Sequence, residues 1–409
     1  DLFHCLFMPA ALVRRLDPRQ AVATVLDAVA TGSNAALLPE LRVDRADAPA
    51  CFLLYLLRLD ARGVGISGEW ADYLGDCLHH VLVRLGHPGA RPRVLVAAYA
   101  CEPGQGSEPG VGWQMAQAIG EHHEAWVVTR ANNRGVIEQE LAARPNPHLH
   151  FVFLDLPRWA SFWKKGGRGV RTYYYLWQLL AARRCRQLLR TTSLDLAHHV
   201  TFVNDWLFTF LALVPLPFVW GPAGSHPPIP ASLAFDARSL RADRLRCLFQ
   251  QAMRLVDPLF WLSRARAALV IGIDRSVFER PPLADLPECR RIVHTAIGVE
   301  ALPPAPAPAS RGPGFTVLSV GRLVPIKGFH LTLAAFADCA RAVPDARLVI
   351  IGKGPLRAPL EAYAASLGIA DRVEWRDWAP REAVLAAMQA ADVFLFPSFE
   401  GGGMVVLEA

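Results

Sequence analysis

The chain has no long unbroken apolar run. Its longest apolar stretch, Trp206 to Trp220, is interrupted by Pro215 and Pro217 and falls short of the ~20 residues a membrane-spanning helix needs. No transmembrane helix is expected. Paired metal-ligand spacing is missing too. The eight cysteines are scattered, with no C-x-x-C, which argues against a zinc site and for core thiols in a reducing compartment. A phosphate-loop lysine is absent, and Gly104 and Gly106 are followed by Gly110 at the wrong offset for a dinucleotide fingerprint. No secretory leader is visible. The chain begins at Asp1 without a methionine and stops at Ala409 inside an expected helix, so it reads as a fragment at both ends. Finally, no acidic residue occurs from Leu156 to Leu194.

With 409 residues, 52% of them apolar and 20% charged, the chain is globular and long enough for two or three domains. Residues 1–90 read as a helical segment whose role no motif names. Asp17-Pro18 is an N-cap followed by a proline at the first helical position, and Val22, Val25, Leu26 and Val29 recur at helical spacing. Ser67 begins a second such pattern, with Trp70, Leu74, Leu78, Val81, Leu82 and Leu85 on one face and Gly86 at its end. The His79-His80 pair within it is read as surface or core histidine.

From Arg91-Pro92 the pattern changes to alternating strand and helix, an α/β arrangement. Strands are expected at 93–100, 125–129, 149–154, 195–202, from 218, at 267–273 and at 292–297. A Pro/Ala-rich linker, 301–314, is extended and semi-rigid. Beyond it a second α/β unit starts with the strand 315–321 and continues through strands at 348–351, 373–375 and 393–396. The domains are therefore 1–90, 91–300 and 315–409, the last incomplete.

The net charge of +6 is local. Arg158, Lys164, Lys165, Arg168, Arg171, Arg183, Arg184, Arg186 and Arg190 fall in the acid-free stretch, interleaved with Trp159, Phe162, Trp163, Tyr173, Tyr174, Tyr175 and Trp177. Basic residues attract anionic lipid, and amphipathic aromatics settle at headgroup level. Residues 158–190 are thus expected to touch an anionic membrane peripherally. The competing expectation is a solvated basic helix whose aromatics belong to the core. No nucleic-acid motif accompanies the stretch, and no nucleic acid is expected as a partner.

The last twelve residues, S-F-E-G-G-G-M-V-V-L-E-A, follow a buried strand and open a helix. Strand, glycine loop and helix N-terminus make an anion site of free N–H groups. Glu400 and Glu408 cannot bind phosphate, but they can accept from hydroxyls. A ligand with both phosphates and hydroxyls is a nucleotide sugar. Together with S-V-G-R-L-V-P-I-K-G-F at 319–329, this Glu-x7-Glu pair resembles the retaining family 4 (group 1) glycosyltransferases of GT-B fold, over roughly residues 93–409.

The resemblance implies two Rossmann-like doubly wound domains. The first takes the acceptor, and the second, truncated here, takes the donor. Arg322 and Lys327 would hold the donor diphosphate. Glu400, with Gly402 and Gly403, would hold the donor sugar, and Glu408 the ribose. The loop of Gly104, Gly106, Gly110 and Gly112 would lie in the cleft. A catalytic histidine is implied at the end of the strand 195–202. His198 and His199 both qualify, and His199, nearer the strand end, is preferred. The loop 218–228 has Ser225 and His226 where related transferases have more glycine. No cofactor and no metal are implied, and the chain has no two aspartates two positions apart to hold one. The implied partners are a nucleotide sugar and a glycan or lipid-linked acceptor, in a cytoplasmic protein at the inner face of the membrane. Rival expectations are a nucleotide-sugar epimerase of the same fold and a non-catalytic protein that binds nucleotide sugar.

Overall fold

The apolar run Val94–Ala98 is the middle of the first sheet. In the computed structural model, which describes residues 16–31, 52, 77, 81, 91–164, 169–294, 314–400, 405, 406 and 409, Arg93–Ala98 forms β1. Around it lie β2 (Glu124–Arg130), β3 (Leu149–Leu154), β4 (Leu196–Thr201), β5 (Phe218–Ala223), β6 (Leu269–Gly272) and β7 (Arg291–Val293). All pairs are parallel, in the order β3-β2-β1-β4-β5-β6-β7. Continuous apolar runs suit such strands because helices cover both faces.

One face carries Val94, Val96, Ala98, Trp113 and Ile137, and the other Leu95, Ala97, Tyr174, Trp177 and Trp220. The helices are α2 (Ser107–His122), α3 (Arg134–Ala143), α4 (Arg158–Ser161), α5 (Val170–Leu188), α6 (Ala237–Val256) and α7 (Pro258–Arg266), preceded by α1 (Pro18–Thr31). In α1, Asp17 Oδ1 accepts from the Gln20 N–H at 3.1 Å, and Val22, Val25, Leu26 and Val29 are buried, as the capping pattern implies. The pattern expected over 67–86, including His79 and His80, lies almost wholly outside the described residues. The run Trp206–Trp220 folds into the core, with a short 3-10 turn at Phe210–Leu213.

The second sheet is β8 (Phe315–Val320), β9 (Ala346–Ile351), β10 (Val373–Arg376) and β11 (Val393–Phe394), parallel in the order β10-β9-β8-β11. Its helices are α8 (Phe329–Ala342), α9 (Arg357–Ser366) and α10 (Arg381–Ala390). The α/β class, the two doubly wound units of GT-B kind and the helix ahead of them are as the sequence implies. Most of the linker, 301–313, lies outside the described residues.

Both sheets reverse their strand order once, between β1 and β4 and between β8 and β11. Open α/β sheets bind ligands at the carboxyl ends of the strands flanking such a reversal. The two units meet on that side. Phe235 of the first packs on His330 and Tyr363 of the second, with ring centroids 5.2 and 5.7 Å apart. His330 Nε2 donates to the Leu233 carbonyl at 2.9 Å.

The acid-free stretch divides its side chains. Tyr173, Tyr174 and Trp177 are buried in the core, while Trp159 and Phe162 are 78% and 76% exposed. Arg171, Arg183, Arg184, Arg186 and Arg190 are exposed, and Lys165 and Arg168 lie outside the described residues. Most of its aromatics therefore serve packing, because α5 must cover the β1–β4 half of the sheet.

Candidate active site

The second unit's loops after β8 and β11 are laced together. The Phe399 N–H donates to the Ile326 carbonyl at 2.9 Å, and the Lys327 N–H to the Val324 carbonyl at 3.0 Å. Gly328 is left-handed (φ 66°), and a Cβ there would strike the Pro397 carbonyl oxygen. Only glycine lets the two loops approach this closely. The result is that Lys327 Nζ donates to Glu400 Oε2 in an ion pair whose side chains are 13% and 16% exposed. The ammonium also lies 4.9 Å from the centre of the Phe396 ring. Arg322 is exposed beside them. The sequence-expected residues Arg322, Lys327 and Glu400 are thus at one strand-end site. Gly402, Gly403 and Glu408 lie outside the described residues.

Across the cleft, the loop after β1 behaves differently from expectation. Helix α2 starts at Ser107, so Gly110 and Gly112 lie inside it rather than in the loop. Pro109 is tolerated because first-turn N–H groups have no partner within the helix. A Cβ at Gly110 or Gly112 would collide with the Gln105 or Ala100 carbonyl oxygen, whereas Gly104 and Gly106 face open space. Gly110 and Gly112 therefore pack the helix onto the strand end. Gly104 (φ 70°) and Gly106 leave the cleft side open.

His198 and His199 are the third and fourth of the six residues of β4, short of its carboxyl end and on opposite faces, paired in register with Val96 and Ala97. His198 Nε2 donates to the Gly221 carbonyl at 2.9 Å and His199 Nε2 to the Phe202 carbonyl at 3.2 Å. His199 Nδ1 is buried without a hydrogen-bond partner among the described residues. Burial pushes both imidazoles down to about 4, so they are neutral near pH 7. The histidine that faces the donor-side carboxylate is His226, with Nδ1 3.9 Å from Glu400 Oε1. Its pKa is lowered, first by burial and then by Arg246, Lys327 and Arg322, with Glu400 opposing.

His226 is held in place by charge. Asp205, fully buried, takes Arg254 at 2.7 Å and Arg280 at 3.2 Å. Both arginines donate to Ser225 Oγ, at 3.1 and 2.8 Å. Arg246 donates to the His226 and Pro227 carbonyls, at 3.3 Å each, and is itself held by Asp243 at 2.8 Å.

Glu108 is the second residue that sequence reasoning did not single out. It sits in the first turn of α2 and accepts from the Val203 N–H. Glu108 is half-buried, and burial raises its pKa to about 7, opposed by the Val203 N–H and Arg322. The signal was a lone carboxylate in a Gly/Pro loop after the first strand, which is weak without knowledge of burial. A carboxyl raised in the folded state favours folding below its unfolded pKa, and that advantage disappears as pH rises through the folded value. Wild-type stability should therefore fall between pH 4.5 and about 7, and Glu108→Gln should remove that part of the fall. Urea unfolding at a series of pH values reads it, and equal slopes in the two proteins would show that the carboxyl is already ionised when folded.

Two doubly wound α/β units, with cations and a carboxylate at their strand ends, make up a GT-B architecture. The comparisons agree. Residues 306–409 match the family model described as glycosyl transferases group 1, so the recognition made from the 319–329 and 400–408 motifs stands for this segment. A GDP-mannose-dependent alpha-(1-6)-phosphatidylinositol monomannoside mannosyltransferase of Mycolicibacterium smegmatis is 35% identical over 161 residues, 36% of this chain and 39% of that protein. A 2-deoxystreptamine glucosyltransferase of Streptomyces kanamyceticus is 38% identical over 89 residues, 21% and 23% of the two chains. The chain thus spans about two fifths of the length of the first relative and less of the second. Among solved structures, the Anabaena protein HepE in complex with UDP and glucose aligns over 75% of this chain and 74% of that one, with 16% identity and a TM-score of 0.47. No described helix is long and apolar enough to cross a membrane.

Proposed function

We propose that the protein is a retaining glycosyltransferase that moves a sugar from a nucleotide-diphosphate donor to a glycan or lipid-linked acceptor. The observation that carries this reading is the Lys327–Glu400 pair, with Arg322 beside it, at the strand ends of a segment that matches the group 1 glycosyltransferases. In the transfer, the acceptor hydroxyl oxygen bonds to the anomeric carbon while the bond from that carbon to the diphosphate oxygen breaks. The electron pair stays on the departing phosphate, which takes the acceptor's proton. Arg322 and Lys327 would hold the growing negative charge in a cleft with little water, and no metal or cofactor is called for. Glu400 would accept from the donor sugar's hydroxyls, with Gly402, Gly403 and Glu408 completing the pocket. On the acceptor side, His198 or His199 of β4 would act as a neutral imidazole, and Gly104 and Gly106 leave room for the ligand.

Calorimetry of the full-length protein with UDP-, GDP- and ADP-sugars tests the reading. One donor should bind at micromolar strength and lose that affinity in Lys327→Ala. If a folded protein binds none of them, the reading fails. Sugar products formed without an acceptor would favour an epimerase instead.

A further inference from the structure

Helix α6 is inverted with respect to the protein. Its buried residues are polar or charged: Ser239, Asp243, Gln250 and Arg254. Its large apolar residues face outward, Leu245 at 66% exposure, Leu248 at 67% and Val256 at 71%, with Phe249 and Leu255 about half exposed. The positions 245, 248, 249, 252, 255 and 256 follow the i, i+3, i+4, i+7 spacing of a single helical stripe. The inversion has a local cause. Asp205 and Ser225 draw Arg254 inward, and the Ile229 N–H draws Asp243 inward at 2.9 Å. With the charged side spent on the loop that presents His226, the apolar side is left outside.

The same outer face carries Arg238, Arg241 and Arg244 on the N-terminal half of the helix, all exposed. By helical spacing they continue the stripe, so the face is basic at one end and apolar at the other. The only acid between residues 237 and 256 is Asp243, which is buried. Trp261, on the helix that follows, is also exposed. Phe249 meets Trp206 edge-on at 5.7 Å, and Arg171 of α5 lies 5.2 Å over the same Trp206 ring. The start of the basic helix α5 therefore adjoins the stripe.

We propose that the outer face of α6 docks on an anionic lipid surface, with Leu245, Leu248, Phe249, Leu255 and Val256 in the acyl boundary and Arg238, Arg241 and Arg244 among the headgroups. Charge selects this occupant. A second copy docked parallel would set the three arginines against like charge, and one docked antiparallel would set them against leucines with no counter-charge, whereas anionic headgroups neutralise them while the acyl boundary takes the apolar end. The surface is distinct from residues 158–190 and does not depend on the transferase reading.

Sedimentation of the full-length protein with vesicles tests it. Binding is expected to vesicles of phosphatidylcholine and phosphatidylglycerol in equal parts, and to be far weaker with phosphatidylcholine alone. The combined variant Leu245→Gln, Leu248→Gln and Phe249→Gln should lose binding while its Tm is unchanged. The combined variant Arg238→Gln, Arg241→Gln and Arg244→Gln should bind roughly a hundredfold more weakly, at about fivefold for each charge. Absence of binding by the wild type, or binding untouched by both variants, overturns the proposal. So does a fall of several degrees in Tm for the apolar variant, which would show that the chain itself covers the stripe. A dimer that the apolar variant abolishes, in protein that ignores vesicles, would assign the face to a second copy.

Discussion

Lys327→Ala is expected to weaken nucleotide-sugar binding by about ten- to a hundredfold, the equivalent of one charge-assisted hydrogen bond at roughly 1.5–3 kcal/mol. The geometry makes a sharper forecast for its partner. Lys327 is already paired with Glu400, so an incoming diphosphate competes with that carboxylate for the ammonium. Removing the charge by Glu400→Gln frees the lysine. The variant should bind nucleoside diphosphate alone as well as the wild type or better, while the extra affinity conferred by the donor's sugar is lost. Calorimetry with diphosphate and with sugar donor, side by side, reads both effects. Parallel losses for the two ligands would mean that Glu400 acts only to hold the loop. Lys327→Arg keeps the charge but replaces a compact ammonium with a planar fork, and an intermediate affinity is expected.

The largest loss of stability is expected from Asp205→Ala. The carboxylate is fully buried and neutralises Arg254, itself 7% exposed at the side chain, and Arg280. Taking it away leaves two guanidinium groups facing each other with no counter-charge. Breaking a buried ion pair from one side typically costs about 3–5 kcal/mol, or a fall of about 10 °C in Tm at this domain size. Asp205→Asn keeps the shape and some of the hydrogen bonds and should fall between. Because the same arginines hold Ser225, the loop bearing His226 should loosen before the domain unfolds. Donor affinity measured well below the melting temperature should therefore drop in Asp205→Asn. An unchanged affinity would show that His226 is placed without the help of this network.

These expectations differ in how far the sequence could reach. The eleven described strands lie where the sequence places them, most of them as apolar runs, because a parallel strand covered on both faces favours continuous apolar residues, a local demand. The second unit's site was legible for the same reason. Lys327 sits in a loop whose glycines are visible as text, and Glu400 follows a strand that ends in Pro-Ser. Glu108 and His226 were not legible as site residues. A carboxyl becomes unusual when protein encloses it, and a histidine becomes a neighbour of Glu400 only when two units dock. The aromatic stretch 158–190 shows the same limit. Its residues could serve a surface or a core, and the packing of α5 on the sheet sent Tyr173, Tyr174 and Trp177 inward.

Helix α6 draws the line most clearly. Helix α6 was not read from the sequence, although residues 237–256 carry an apolar stripe on one side and Asp243, Gln250 and Arg254 on the other. The tertiary structure alone decided which side faces in. A buried Asp205 needs its cations, and in a dry interior an unmet charge outweighs the burial of a few leucines.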